Sequence, residues 1–458
     1  MSLLEDFLFE RRGTAIKLGL DRIQALLDGL GRPERACRTL VVGGTNGKGS
    51  VATLSARALQ AAGRRVGLYT SPHVRSFSER IRIDGAPVEL PWIEDFIERN
   101  RDLVERIDAS FFEVTTAMAL AAFREAGVEV AVLEVGMGGR LDATNVSRPE
   151  AVAITSIARD HERALGHDLV SIAGEKYAIS RPGRPLILGP VPPEVARHLE
   201  MRADADGVPL YSVEEDVVRH LRREDAFGIE CDLEGPPGSA MGCIEALRVS
   251  LPGEHQMNNA SVACRLLDRS GLWPGEDAVR KGFAAAEIEG RFHLALQRPF
   301  PVVVDVAHNP AGVRACAQTW RRAMGALEPV TVFAALGDKN IQRMLLELCA
   351  FVPRVIVPPL NGPRALAPEA IVTMAREVGL EAEAAPSVEV ALARGMAGVE
   401  NGDGGALLCL GSFHLAGSVY RALPEFARSH EVAVDLNPLE VRSSLDEGGA
   451  RSTELMKT

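Results

Sequence analysis

One ten-residue segment constrains this chain more than any other: Val41-Val42-Gly43-Gly44-Thr45-Asn46-Gly47-Lys48-Gly49-Ser50. An apolar run enters it, and a helical pattern leaves it from Ser50 to about Ala62. Glycines let backbone N–H groups curl around phosphate oxygens, and a helix N-terminus adds partial positive charge. Lys48 supplies a mobile full charge, and Ser50 a hard oxygen suited to Mg²⁺. The general pattern G-x-x-x-x-G-K-[ST] is not met. Val42 stands at its first glycine and Gly49 at its hydroxyl position, so the hydroxyl arrives one residue late. The bland alternative is a glycine-rich strand–helix turn carrying a surface lysine.

The surrounding pattern is an alternation of buried strands and helices. Strands are expected at Leu40–Val42, Val66–Tyr69, Val128–Val135 and Ala151–Ile157, with a helix over Val114–Arg124. Residues 211–250 are richer in charge and read as antiparallel strands appended to the first sheet. From Pro301 the alternation restarts: Val302–Val304, Val330–Phe333, Arg354–Val357 and Ala406–Leu410, with helices from Pro310 and Ile341. The fold class is therefore α/β: a P-loop-type, mainly parallel sheet domain plus a smaller Rossmann-like α/β C-terminal domain. The expected division is 1–295, 296–436, and a polar tail at 437–458 without fixed structure.

Composition narrows the function. With 51 Lys+Arg against 62 Asp+Glu, the net charge is −11, which excludes a basic coat for nucleic acid. No apolar run reaches the ~18 residues that cross a bilayer, and no basic-then-apolar leader opens the chain. The seven cysteines have neither zinc nor redox spacing and read as reduced thiols in a cytoplasmic protein.

Further segments resemble one family. Gly44–Ser50 is similar to the ATP loop of the folylpolyglutamate synthase/dihydrofolate synthase family, relatives of the Mur ligases. The resemblance continues in order through Ile16–Ile23, Tyr69-Thr70-Ser71-Pro72-His73, Glu79-Arg80-Ile81 and Leu133–Asn145. It then takes in Asp160-His161, Glu175-Lys176, Gly253–Gln256, Gly290-Arg291, Asp305–Pro310 and Ser412-Phe413-His414. It implies an ATP-dependent ligase that joins L-glutamate to dihydropteroate, to folate γ-carboxylates, or to both, through an acyl phosphate. An alternative is a Mur-type ligase for a different acid; the chain opens almost at its ATP loop, leaving little room for the nucleotide-sugar domain such enzymes place first. A second alternative is a nucleotide-binding regulator without turnover.

The resemblance also implies roles. ATP would be held by Thr45, Asn46, Gly47, Lys48, Gly49 and Ser50 with Asn259, Arg291 and Asp305; Asn258 competes for the asparagine role. Two Mg²⁺ ions would involve Ser50, Ser71, Glu134 and His161. Glu134 and His161 both follow buried strands, where α/β folds place ligand groups. Lys176 would be carbamylated and catalytic beside Glu134 and His161. Ile16, Lys17, Leu18, Phe112, Leu141, Asp142 and Ala143 would frame the pterin, and His308 and Asn309 the glutamate. Partners are expected to be small molecules only, with no nucleic acid, no membrane, and a monomeric enzyme whose site lies between the two domains. Three departures from the family pattern stand out: charged residues and Ala164 within Arg159–Gly166, Tyr177 after Lys176, and Val306 in place of a glycine.

Overall fold

A computed structural model of the protein describes residues 7, 8, 11 and 19–429. Ile16, Lys17, Leu18 and the 437–458 tail lie outside the described residues. The backbone divides into two compact units. One holds the described residues up to Arg291 together with Asn309–Gly325 and Asp338–Asn340; the other holds Phe292–His308, Ala326–Gly337 and the described residues from Ile341.

The first unit is built on eight strands: β1 (Arg38–Gly43), β2 (Val66–Tyr69), β3 (Ile81–Ile83), β4 (Ala86–Pro87), β5 (Val130–Glu134), β6 (Ala151–Ile154), β7 (Leu186–Leu188) and β8 (Leu210–Ser212). Their order is β4-β3-β2-β5-β1-β6-β7-β8. Only the β2–β3 and β3–β4 pairings are antiparallel. The central strands are apolar at every position because both faces are covered. Leu40, Val42, Val130, Val132, Ala151 and Ala153 point to one core. Val41, Ala131, Leu133, Val152 and Ile154 point to the other. This is the period-two alternation of a strand, with apolar side chains on both phases.

Beyond Tyr211 and Ser212, which complete β8, residues 213–250 do not extend that sheet, contrary to the sequence expectation. β9 (Val218–Asp225), β10 (Gly228–Glu234) and β11 (Cys243–Val249) form a separate three-stranded antiparallel sheet. Ile229, Cys231, Leu233, Ile244, Leu247 and Val249 lie in the core shared with helices Lys48–Ala61 and His255–Arg269. A sheet with one apolar face buries it as a layer; adding it to an edge would leave that face wet.

The second unit carries β12 (His293–Leu296), β13 (Val302–Asp305), β14 (Pro329–Phe333), β15 (Arg354–Val357), β16 (Glu381–Ala384) and β17 (Ala406–Leu410). The order is β12-β13-β17-β14-β15-β16, parallel except for β12. β12 and β16 escape the sequence reading because each is short and only partly apolar. Among the described residues, no helix is long and apolar enough to cross a membrane. The seven cysteines are free thiols.

Candidate active site around the glycine loop

β1 is the switch point of the first sheet, flanked by β5 on one side and β6 on the other. The C-terminal ends of these three strands therefore bring together the glycine loop, Glu134 and the segment after Ile154. That segment shapes the loop. Thr45 N–H donates to Ser156 O (2.8 Å), and Asn46 N–H to Ser156 Oγ (3.0 Å). Thr155 Oγ1 donates to Asn46 O (2.6 Å), and Ala158 N–H to Thr45 Oγ1 (3.0 Å). The backbone N–H groups of Thr45 and Asn46 thus hold the loop's shape. The helix Lys48–Ala61 has no side-chain cap, and its first turn closes with Val51 N–H on Gly47 O (2.9 Å). The N–H groups of Lys48, Gly49 and Ser50 precede that bond, which is the arrangement that receives an anion.

Two glycines are obligatory here. Gly44 has φ +133°, and a Cβ on it would lie 2.0 Å from Thr155 Oγ1 and 2.9 Å from Thr155 N. Gly47 has φ +87°, and its Cβ would lie 2.4 Å from Asn259 Oδ1. Asn259 therefore rests on the loop, steadied by its Nδ2–H donating to Gln256 Oε1 (2.8 Å). Asn258 does not compete for this position: its Oδ1 accepts from Arg219 (2.9 Å).

Lys48 curls over the loop, its Nζ donating to Thr45 O (3.1 Å). Burial lowers its pKa, opposed chiefly by the carboxylates of Glu134 and Asp160. Glu134 is buried at the end of β5, and its Oε2 accepts from Ser71 N–H (3.0 Å). Burial raises its pKa, while Lys48, the Ser71 N–H, Arg291 and Arg80 pull it back. A Cβ on Gly49 would be 3.5 Å from Glu134 Oε2, so the carboxylate borders the helix's first turn, near buried Ser50. A hydroxyl and a carboxylate at a phosphate-binding turn suit Mg²⁺, which takes few protein oxygens and completes its octahedron with phosphate and water. Among the described residues, no group of three His, Cys, Asp or Glu is placed to hold a metal ion.

His161 sits apart from Ser71 in its contacts. Its backbone is left-handed (φ 52°), its N–H donates to Asp160 Oδ1 (2.8 Å), and its Nε2 lies 3.8 Å from Asp160 Oδ2. Asp160 is a hub that the sequence reading quoted without assigning. Lys339 Nζ reaches its Oδ1 (2.6 Å), both side chains being almost wholly buried. Asn309 Nδ2 approaches its Oδ2 (3.4 Å). Lys339 was missed altogether; its one signal was its position in a Gly337-Asp338-Lys339 turn shortly after β14.

Lys176 is buried on the helix Leu169–Tyr177, and its Nζ donates to Gly44 O (2.9 Å). Burial, then the charge of Lys48, lowers its pKa to about 7. Tyr177 does not crowd it. The phenol packs on the neighbouring helix Pro193–Asp206, under the Arg202 guanidinium (4.6 Å) with its hydroxyl donating to Arg202 O (3.4 Å).

On the pterin side, Asp142 is consumed by its own loop. Oδ2 accepts from Gly136 and Met137 N–H (both 3.0 Å), and Oδ1 from Thr144 N–H (3.0 Å) and Oγ1 (2.6 Å). It shapes the 136–144 turn, with Leu141 half-buried and Ala143 buried. Phe112 is half-buried and packs so closely on Gly136 that a Cβ there would sit 2.4 Å from the ring; it also lies 6.0 Å from the Tyr69 ring.

Asn309 caps the helix Pro310–Ala323 through Gly312 N–H (2.9 Å) and pairs reciprocally with the Asn46 amide (2.9 and 3.2 Å). Arg291 is a charge neighbour of Lys48, Glu134 and His255. In the second unit, Asp305 accepts from Ala307 N–H (2.7 Å) and Phe292 N–H (2.8 Å). His308 Nδ1 lies 3.0 Å from Val306 O, and its ring is 5.8 Å from Phe413. Val306 is buried and avoids positive φ, so the missing glycine costs no strain.

Comparison with known proteins agrees with this geometry. Residues 42–267 match the Mur ligase middle domain, and residues 290–413 the Mur ligase glutamate ligase domain. The dihydrofolate synthase/folylpolyglutamate synthase of Mycobacterium tuberculosis is 38% identical over 80% of this chain and 79% of its own length. The Escherichia coli enzyme of the same name is 33% identical over 89% and 92%. The structure of the M. tuberculosis folylpolyglutamate synthase complexed with ADP superposes with a TM-score of 0.84 at 34% identity, covering 91% of this chain and 97% of that one. The Yersinia pestis bifunctional enzyme complexed with AMPPNP and a Mn ion gives 0.78 at 30% identity, covering 93% and 98%. The chain belongs to the dihydrofolate synthase/folylpolyglutamate synthase family of the Mur ligases and is an ATP-dependent ligase of glutamate in folate metabolism.

Proposed function

We propose that this enzyme uses dihydropteroate as an acceptor, that ATP sits on the glycine loop, and that Lys176 works as a carbamate. The nucleotide and pterin contacts, apart from Asp305, are assigned to residues 1–295, and Asp305 and the glutamate contacts to residues 296–436. The observation that carries the reading is the buried Lys176 Nζ, 2.9 Å from Gly44 O. A lysine with a pKa near 7 offers a neutral amine at physiological pH. That amine adds CO₂ and releases a proton, turning a cation into an anion beside the phosphate site.

Chemically, a carboxylate is a poor electrophile. Its oxygen attacks the γ-phosphorus of ATP, ADP leaves, and the acyl phosphate forms. The glutamate amine, having lost a proton, then attacks the acyl carbon, and phosphate leaves from the tetrahedral adduct. Residues Gly47–Ser50 hold the phosphates through N–H groups, and Lys48 neutralises charge that grows on the bridging oxygen. Asn259 and Arg291 flank the nucleotide, and Asp305 holds its ribose. The Lys176 carbamate orients the acceptor carboxylate for in-line attack. Ser50 and Glu134, with Ser71 and His161 as further contacts, would hold Mg²⁺, which when bound neutralises the phosphate oxygens.

The test is direct: purified enzyme, Mg·ATP, L-glutamate and dihydropteroate, with ADP, phosphate and dihydrofolate quantified. Release of all three in equal amounts is expected. Turnover of reduced folates alone would leave only polyglutamylation. Turnover of neither would mean that the charged segment at Arg159–Ala164 has changed the acceptor.

A further inference from the structure

The molecule buries a cation near the site that the mechanism above does not use. Arg80 follows directly after Phe77-Ser78-Glu79, and only 4% of it is exposed. A guanidinium stays charged in any protein environment and is costly to bury without a counter-ion. Among the described residues, no carboxylate lies within 4 Å of this one. Its sequence neighbour Glu79 is spent on its own turn, accepting from Val74 N–H (2.8 Å), Arg75 N–H (2.9 Å) and Ser76 N–H (2.6 Å). Arg80 Nε donates to His73 Nδ1 (2.9 Å), which fixes the guanidinium plane, and the Tyr69 hydroxyl is a second, neutral hydrogen-bond partner. Its carbon lies 5.2 Å from the Phe111 ring centroid and 5.9 Å from that of Phe77.

Lys48, Arg291 and Arg80 all act on the single Glu134 carboxylate. Lys48 and Lys176 are balanced from the other side by Asp160. Arg80 instead acts with Tyr69, Glu134 and Glu79, among the aromatic residues that flank Phe112. An anion at this end of Glu134 therefore belongs to the acceptor. A dihydropteroate acceptor has one carboxylate, and that one must meet the γ-phosphate. An acceptor that already ends in glutamate has two, and the α-carboxylate is left over.

We propose that Arg80 binds the non-reacting α-carboxylate of a glutamate-terminated acceptor, and so sets how well the enzyme elongates pteroylglutamates relative to making the first one. This inference rests on the acceptor class proposed above. A fork of N–H donors on a carboxylate gives both strength and orientation.

The test compares three acceptors with the full-length enzyme: dihydropteroate, a reduced pteroylmonoglutamate, and that monoglutamate with its α-carboxyl converted to an amide. Wild type is expected to lose about ten- to a hundredfold in kcat/KM, mainly through KM, when the α-acid becomes the amide. In Arg80→Met the acid should fall to within about threefold of the amide, and the loss for dihydropteroate should be at least tenfold smaller than for the acid. Arg80→Lys should recover part of the discrimination. ADP affinity and Tm of each variant report on folding. Should Arg80→Met fail to fold, the acid/amide ratio of wild type against Arg80→Lys decides. Equal loss on all acceptors, or a wild type indifferent to the amide, would overturn the inference. A wild type that turns over none of the three with glutamate would instead defeat the acceptor class.

Discussion

Lys176 Nζ and the carbonyl oxygen of Gly44 lie 2.9 Å apart, joining a buried lysine to the glycine loop. The lysine comes from a helix 132 residues downstream, so folding alone creates this pair. Its consequences for charge and activity can be measured.

Because burial holds the Lys176 pKa near 7, the native state carries fewer protons at this residue than the unfolded chain between about pH 7 and 10.4. Stability attributable to this residue therefore rises with pH across that window. Below pH 7 both states are charged, and the burial cost is felt in full. Lys176→Met should raise the denaturation midpoint relative to wild type at pH 6, and the gain should shrink toward pH 10. Activity should move the other way, with Lys176→Met nearly inactive at every pH. Labelled bicarbonate should give wild type a carbamate carbon signal that the variant lacks. Equal signals in both would exclude modification at this position.

Lys48→Ala should lower kcat more than tenfold, a barrier change above about 1.4 kcal/mol. Among the described residues, the side chain hydrogen-bonds only its own loop, through Thr45 O. Far-UV circular dichroism and Tm should therefore stay close to wild type. Retention of a tenth or more of kcat would remove Lys48 from the phosphate site.

Gly47→Ala tests the loop geometry independently of charge. The new methyl would meet Asn259 Oδ1 at 2.4 Å on a backbone with φ +87°. Strain of about 1–3 kcal/mol is expected, together with weakened ADP binding as Asn259 is displaced. Calorimetric titration with ADP checks it; unchanged affinity would show that Asn259 can swing away freely.

Asn309 has two duties that substitutions separate. Asn309→Asp keeps the oxygen that caps Gly312 N–H but loses the Nδ2 donor to Asn46 and places a carboxylate beside Asp160. Asn309→Ala loses both, and the cap alone is worth about 1 kcal/mol. The alanine variant should be the less stable of the two if the cap dominates. If the aspartate is worse, repulsion from Asp160 outweighs the cap. Urea denaturation midpoints decide, and similar kcat in wild type and Asn309→Asp would exclude a role for the amide in catalysis.

The alternation of apolar runs with glycines determined the parallel sheet, because strands buried on both faces have no polar phase to hide. The loop's chemistry was equally legible, since glycines, lysine and a hydroxyl at one strand–helix junction suit phosphate whatever surrounds them. What the sequence left open were matters of three-dimensional neighbourhood. Residues 211–250 showed their strands but not that these form a separate layer, because an apolar face does not name the surface that buries it. Asp142 lies in the segment expected to frame the pterin, and only the structure shows that its four hydrogen bonds close its own turn. Tyr177 stood out as a departure from the family pattern beside Lys176, and only helix geometry shows that it turns toward Arg202. The hub at Asp160, and the burial of Arg80 against His73 and Tyr69 with no carboxylate in contact, were invisible because charge balance is set by distances between residues far apart in the chain. Composition and spacing determined which chemistry this protein carries; only the tertiary structure decided which charges are paired and which are left for substrate.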